Sequence, residues 1–185
     1  MYLNQDKVFS TSKADVFFMS FDMAKPLQEY LLNNKERLIP FEPSRSSEYY
    51  ELDSIHQRII TAIDDQTQKT ALSLIITVKN SNRIIGIINF TGLTFGVFQA
   101  CCLGFSIDKD FEGQGIMHIT LQRAISHMRE QYGLHRIMAN HLPNNVKSEQ
   151  LLAKLGFVRE GYAKSYLKIN GEWQDHILNA LVFGN

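Results

Sequence analysis

Short apolar runs of strand length dominate both halves of this chain, with stretches of helical spacing between them. Val16 to Phe21 reads as a strand. Asp22 is a capping residue type, and the spacing after it predicts a helix from about Met23 to Asn33, with Pro26 in the first turn. Pro40 and Pro43 bracket a loop, and Ser44 to Ser47 offer caps for a second helix reaching about Asp64. Leu72 to Val78 and Arg83 to Asn89 read as strands joined at Asn80, Ser81 and Asn82, a hairpin signal. Phe98 to Ile107 predicts a further strand. Met117, Leu121, Ala124, Ile125 and Met128 then recur at helical spacing, with Gly133 where a stop belongs. His135 to Asn140 is a short strand. Asn144 is placed to cap a helix whose apolar side is Leu151, Leu152 and Leu155, ended by Gly156. Phe157 to Ile169 and Trp173 to Phe183 close the chain as strands about a tight turn at Asn170 and Gly171.

The order β-α-α-β-β-β-α-β-α-β-β predicts an α/β (α+β) class with a mixed sheet and helices on both faces. No repeat, low-complexity tract or linker interrupts it, so residues 1–185 read as one domain.

Charge narrows the function. The 19 basic and 19 acidic residues cancel, which argues against general nucleic-acid or membrane binding. Met1 to Lys13 is polar and lacks a signal-peptide core, and no apolar run approaches the length of a membrane span. The two cysteines, Cys101 and Cys102, are neighbours on a strand and point to opposite faces. They read as reduced, packed residues of a cytoplasmic protein. The histidines show no His-Glu-x-x-His spacing, so no metal is expected.

Candidate chemistry lies between Gly104 and Asn179. Glu112, Gly113, Gln114, Gly115, Ile116 and Met117 form a glycine turn opening a helix. Such a turn lets backbone N–H groups approach a phosphate, with the helix dipole adding only about 0.3–1 kcal/mol. An ordinary turn before a helix is the plain alternative. Asn145 and Ser148 put polar side chains at the next helix start, where capping alone would also explain them. Glu160 precedes Gly161 on a strand, and by itself its plain reading is a surface carboxylate.

Taken in order, this glycine turn, the Asn145-x-x-Ser148 pair and Leu155-Gly156-Phe157 resemble the acetyl-CoA segment of the GNAT N-acetyltransferase family. The runs His135–Asn140, Leu151–Phe157, Glu160–Lys164 and Gly171–His176 narrow the resemblance to its RimJ-type ribosomal-protein-alanine branch. Asn34–Leu38 and Phe41–Pro43 are similar to that branch's acceptor-side region. Glu112 stands where the family usually has Gln or Arg, and Met117 where it has Gly or Ala. An acidic side chain there is expected to point away from a diphosphate. Many members carry a Tyr where this chain has Leu152, which cannot protonate a thiolate.

The resemblance implies a GNAT-like fold with a mostly antiparallel central sheet, and direct acetyl transfer from acetyl-CoA to an amine. It implies that backbone N–H groups from Gln114 to Met117, with Gly113, hold the diphosphate, and that Phe105, Ser106 and Ile107 bond the pantetheine arm. Asn145 would fix that arm, Ser148 would hydrogen-bond the departing sulfur, and Glu160 would take the ammonium proton. The implied acceptor is a protein N-terminus, that of a ribosomal protein beginning with Ala, and the implied assembly is a monomer or homodimer. An α-amine is roughly a tenth neutral at pH 7 and a lysine about 0.04%, so one modest base suits the former. A small-amine acetyltransferase and a non-catalytic acyl-CoA-binding module are the alternatives.

Overall fold

The computed structural model describes residues 7–184. Its strands are β1 (Lys7–Ser10), β2 (Ala14–Phe18), β3 (Leu72–Val78), β4 (Ile84–Thr94), β5 (Ala100–Ile107), β6 (Arg136–Met138), β7 (Val158–Ile169) and β8 (Glu172–Val182). Its helices are α1 (Ala24–Leu38), α2 (Leu52–Gln68), α3 (Ile116–Tyr132) and α4 (Val146–Lys154). The strands form one sheet in the order β1-β2-β3-β4-β5-β6-β8-β7. Every pairing is antiparallel except β5 with β6.

The two faces carry separate cores. Behind the sheet, Leu74, Ile88, Phe90, Cys101 and Ile137 pack on Leu121, Ile125 and Met128 of α3 and Leu152 of α4. In front, Phe17, Ile75 and Ile84 pack on Leu27 and Leu31 of α1 and Ile55 and Ile59 of α2. Continuous apolar runs in β3 and β4 follow from burial on both faces.

Several boundaries differ from the pattern reading. β1 is additional; its mixed sequence gives no run to detect, and pairing with β2 supplies its order. Of the polar start, Met1 to Asp6 lies outside the described residues. Asp22 does not cap α1: it sits in a 3-10 turn, bonded by Ser20 Oγ at 2.5 Å. α1 runs on to Leu38, and α2 starts only after a second 3-10 turn over Ser47–Tyr50. Of the two candidate caps, Asn144 and Asn145, α4 uses Asn145, its Oδ1 accepting the Ser148 N–H at 3.2 Å.

The β7–β8 turn reaches across the front of the sheet. Asn170 N–H donates to the carbonyl of Glu42, in the loop after α1, at 2.9 Å.

Candidate active site

A gap opens in the middle of the sheet. β5 and β6 stay paired only as far as Cys102 opposite Met138, whereas β5 remains paired with β4 to Ile107 opposite Gly86. Asp108 N–H bonds the Ile85 carbonyl at 2.7 Å, which sets the alternation along β5. Gly104 and Ser106 therefore turn their backbone groups to β4, while Leu103, Phe105 and Ile107 turn theirs into the gap. This row of backbone donors and acceptors fits an amide-rich arm laid beside it as a strand would be. Of the three strand residues assigned to the arm, Phe105 and Ile107 face the gap. Ser106 instead sends its Oγ to the Tyr30 hydroxyl at 2.8 Å.

At the open end of β5 the chain enters the glycine turn. Gly113 and Gly115 have φ of 71° and 75°, a left-handed backbone that favours glycine. The first intrahelical bond of α3 runs from Ile119 N–H to Gly115 O at 3.1 Å. The N–H groups of Ile116, Met117 and His118 thus lack helical acceptors, as at any helix start. The side chains of Ile116 and Met117 are buried and hold the helix start against the core. Lys13 Nζ donates to Gln114 O at 2.7 Å, placing a cation beside the turn. These groups fit a diphosphate.

Glu112 does lie at this turn, and its charge is taken up locally. Arg37 of α1 meets one oxygen at 2.9 Å and Lys147 of α4 the other at 2.5 Å. Arg37 also donates to Asn34 Oδ1 at 3.1 Å and to the Ile107 carbonyl. One carboxylate so joins α1, the glycine turn and the first turn of α4 around the mouth of the gap. In the sequence Arg37 falls within the acceptor-side run Asn34–Leu38, but no local pattern reveals its partner 75 positions away.

Ser148 lies in the first turn of α4, half-buried, and its hydroxyl makes no hydrogen bond among the described residues. Leu152, one turn on, is part of the core. Glu160 stands apart from Ser148. It sits at a bulge in β7, between the pairs Arg159 with Asn179 and Gly161 with Leu178, and its carboxylate is held by Arg136. β8 separates β7 from β6, which puts Glu160 about 10 Å sideways from β6 at ordinary strand spacing.

The front face over β5 is open. Ser106 meets α1 through Tyr30, so by alternation Cys102, Gly104 and Met138 share that face. Cys102 and Gly104 are exposed although β5 is a central strand, and a Cβ added to Gly104 would meet nothing within 4 Å. Cys102 therefore corrects the expectation of two packed thiols; only Cys101 is buried. Burial pushes the Cys101 thiol up to about 12 and raises that of Cys102. α1 walls this cleft on one side. On the other, Asn140 Nδ2 donates to the Tyr166 hydroxyl at 3.2 Å, and the Tyr166 ring lies 5.5 Å from that of His176. His141, after β6, is buried with Nε2 unpartnered among the described residues. No cluster of metal-ligating side chains occurs among the described residues, and no helix is long and apolar enough to cross a membrane.

Comparison with known proteins agrees with this geometry. Residues 21–158 match the pattern of the Acetyltransferase (GNAT) domain. The chain is 39% identical over 155 residues to the [ribosomal protein uS5]-alanine N-acetyltransferase of Escherichia coli, covering 84% of this chain and 80% of that one. The ribosomal-protein-S5-alanine acetyltransferase of Vibrio fischeri superposes with a TM-score of 0.90 at 35% identity, over 94% of this chain and 95% of that one. Mycobacterium smegmatis RimJ, solved with CoA-disulfide, has the same fold at 24% identity and a TM-score of 0.86, over 91% and 81%. A sheet split beside a glycine-opened helix, with a second cleft meeting it from the front, is thus the frame of a known enzyme class: the chain belongs to the GNAT acetyltransferase family and is an acetyl-CoA-dependent N-acetyltransferase.

Proposed function

We propose that this enzyme acetylates the N-terminal α-amine of a ribosomal protein beginning with Ala, in the cytoplasm, with residues 1–185 acting as one domain. The observation that carries the reading is the front cleft, which meets the β5–β6 gap where those strands part. Its floor of Cys102, Gly104 and Met138 carries no carboxylate, which supports a peptide end over a polyamine. The E. coli and V. fischeri relatives, named for alanine acetylation of a ribosomal protein, support the same acceptor.

Acetyl-CoA supplies the activated acetyl thioester. The backbone of Leu103, Phe105 and Ile107 would hold its arm, and Gly113 to Met117 its diphosphate. Asn145 would steady the arm, while the Ser148 hydroxyl would donate to the departing sulfur. A backbone N–H at Leu103 or Phe105 would polarise the thioester carbonyl; losing one such donor typically costs about 10²–10³ in rate. Glu160 would accept the ammonium proton through water after releasing Arg136, since its lateral offset leaves room for a bridging chain.

The test is a peptide panel with acetyl-CoA, read by mass spectrometry, with starts of Ala, Ser, Met or a blocked terminus and an internal lysine in each. Acetylation confined to free Ala or Ser starts is expected. Acetylated polyamines or amino acids, with no peptide product, would refute the peptide acceptor.

A further inference from the structure

The edge strand β7 is broken in a way the acetyl-transfer frame does not require. Between the pairs Ala163 with His176 and Leu167 with Gln174, three residues of β7 oppose the single residue Asp175. Ser165 takes a φ of 47° there, a costly backbone for a residue with a side chain. Asp175 holds it: Oδ1 accepts the Ser165 N–H at 2.8 Å, and Oδ2 accepts the Tyr162 hydroxyl at 2.6 Å. Both bonds keep the Asp175 carboxyl below its ordinary range.

The bulge re-aims Tyr166. In an unbroken strand Tyr166 would fall on the opposite face from Ala163; here its ring lies over His176, on the cleft side. The polarity of the contact is fixed. Asn140 Oδ1 accepts the Asn179 N–H at 3.2 Å, so its amide nitrogen is the group that donates to Tyr166. The Tyr166 oxygen is thereby an acceptor, and its own hydrogen has no acceptor among the described residues.

We propose that Tyr166, aimed by the Asp175-pinned bulge, donates a hydrogen bond to the first carbonyl of the acceptor and so selects a peptide end over a simple amine. This rests on the acceptor reading above. Tyr166 is then a specificity residue that touches substrate, and Asp175 a positioning residue acting through it.

The test measures acceptor KM, acetyl-CoA KM and kcat for an alanyl peptide and for 2-aminobutane, which keeps the amine and methyl but has no oxygen to accept a hydrogen bond. Tyr166→Phe removes one exposed oxygen from a side chain that is 40% exposed, so folding is not at issue. It should raise peptide KM about three- to tenfold and leave acetyl-CoA KM and the kinetics of 2-aminobutane unchanged. Asp175→Ala should match that loss, add nothing to Tyr166→Phe in the double variant, and be rescued by Asp175→Asn, which still accepts from Ser165. Unchanged peptide KM in Tyr166→Phe, with the wild type active on peptide, overturns this inference alone. A full additive loss in the double variant also overturns it. A wild type that acetylates no peptide overturns the acceptor reading and this inference with it.

Discussion

Arg37 offers the sharpest test of how the mouth of the β5–β6 gap is held together. Its side chain is 29% exposed and bonds Glu112, Asn34 and the Ile107 carbonyl. A hydrogen bond involving a charged group contributes about 1.5–3 kcal/mol, and a partly exposed ion pair about 1 kcal/mol or less. The three contacts share one side chain, so Arg37→Ala should cost about 2–3 kcal/mol rather than their sum. At about 2–4 °C per kcal/mol for a chain of this size, the melting temperature should fall by about 5–10 °C. Losing the bridge to Glu112 also loosens the glycine turn, so acetyl-CoA should bind several-fold more weakly in calorimetric titration. Arg37→Lys keeps the charge but not the planar fork, and should recover only the ion-pair share of about 1 kcal/mol. A Lys variant melting with the wild type, or an Ala variant shifted by less than about 1 °C, would refute the reasoning.

Gly115→Ala forces a side chain into a φ of 75°; it should cost about 1–2 kcal/mol in thermal melts and raise acetyl-CoA KM while leaving acceptor KM alone. Glu160→Gln should lower kcat by about 10²–10⁴ with acetyl-CoA affinity retained, and equal pH–rate profiles from pH 6 to 9 would remove Glu160 from the chemistry. Native protein should take up one alkyl group, at Cys102, and a second at Cys101 only after denaturation; intact mass after brief iodoacetamide treatment reads this directly. Because the folded Cys101 thiol is raised to about 12, its contribution to stability is complete below the ordinary value of about 8.5 and is lost as pH rises from there through the folded value. Denaturant melts of Cys101→Ala should lack that alkaline loss.

What the sequence displayed was the local half of this site. Gly115, Gly133 and Asn145 mark their helix ends because caps and left-handed turns are decided by neighbouring residues. The order of strands followed from run lengths and from the Asn170-Gly171 turn. The β5–β6 gap left no trace in composition, because it depends on where parallel pairing stops. Tyr30 and Tyr166, and the pairing of Arg37 with Glu112, were missed for the same reason: each acquires its role from a partner on another element. Asp175 lay within a recognised run, yet its work in the bulge concerns Tyr162 and Ser165 and shows only once β7 and β8 are paired.

The bond from Asn170 to the Glu42 carbonyl makes the hairpin tip and the loop after α1 into a bridge over the front of the sheet. A trough under a bridge has a topology as well as a shape. On the proposed peptide acceptor, a free chain end would thread beneath it, whereas a mid-chain segment could enter only if the bridge opened or if it approached as a bent loop. Terminal selectivity would then be enforced by connectivity before any side chain reads the acceptor, and an internal lysine with the same amine would be turned away for having chain on both sides of it.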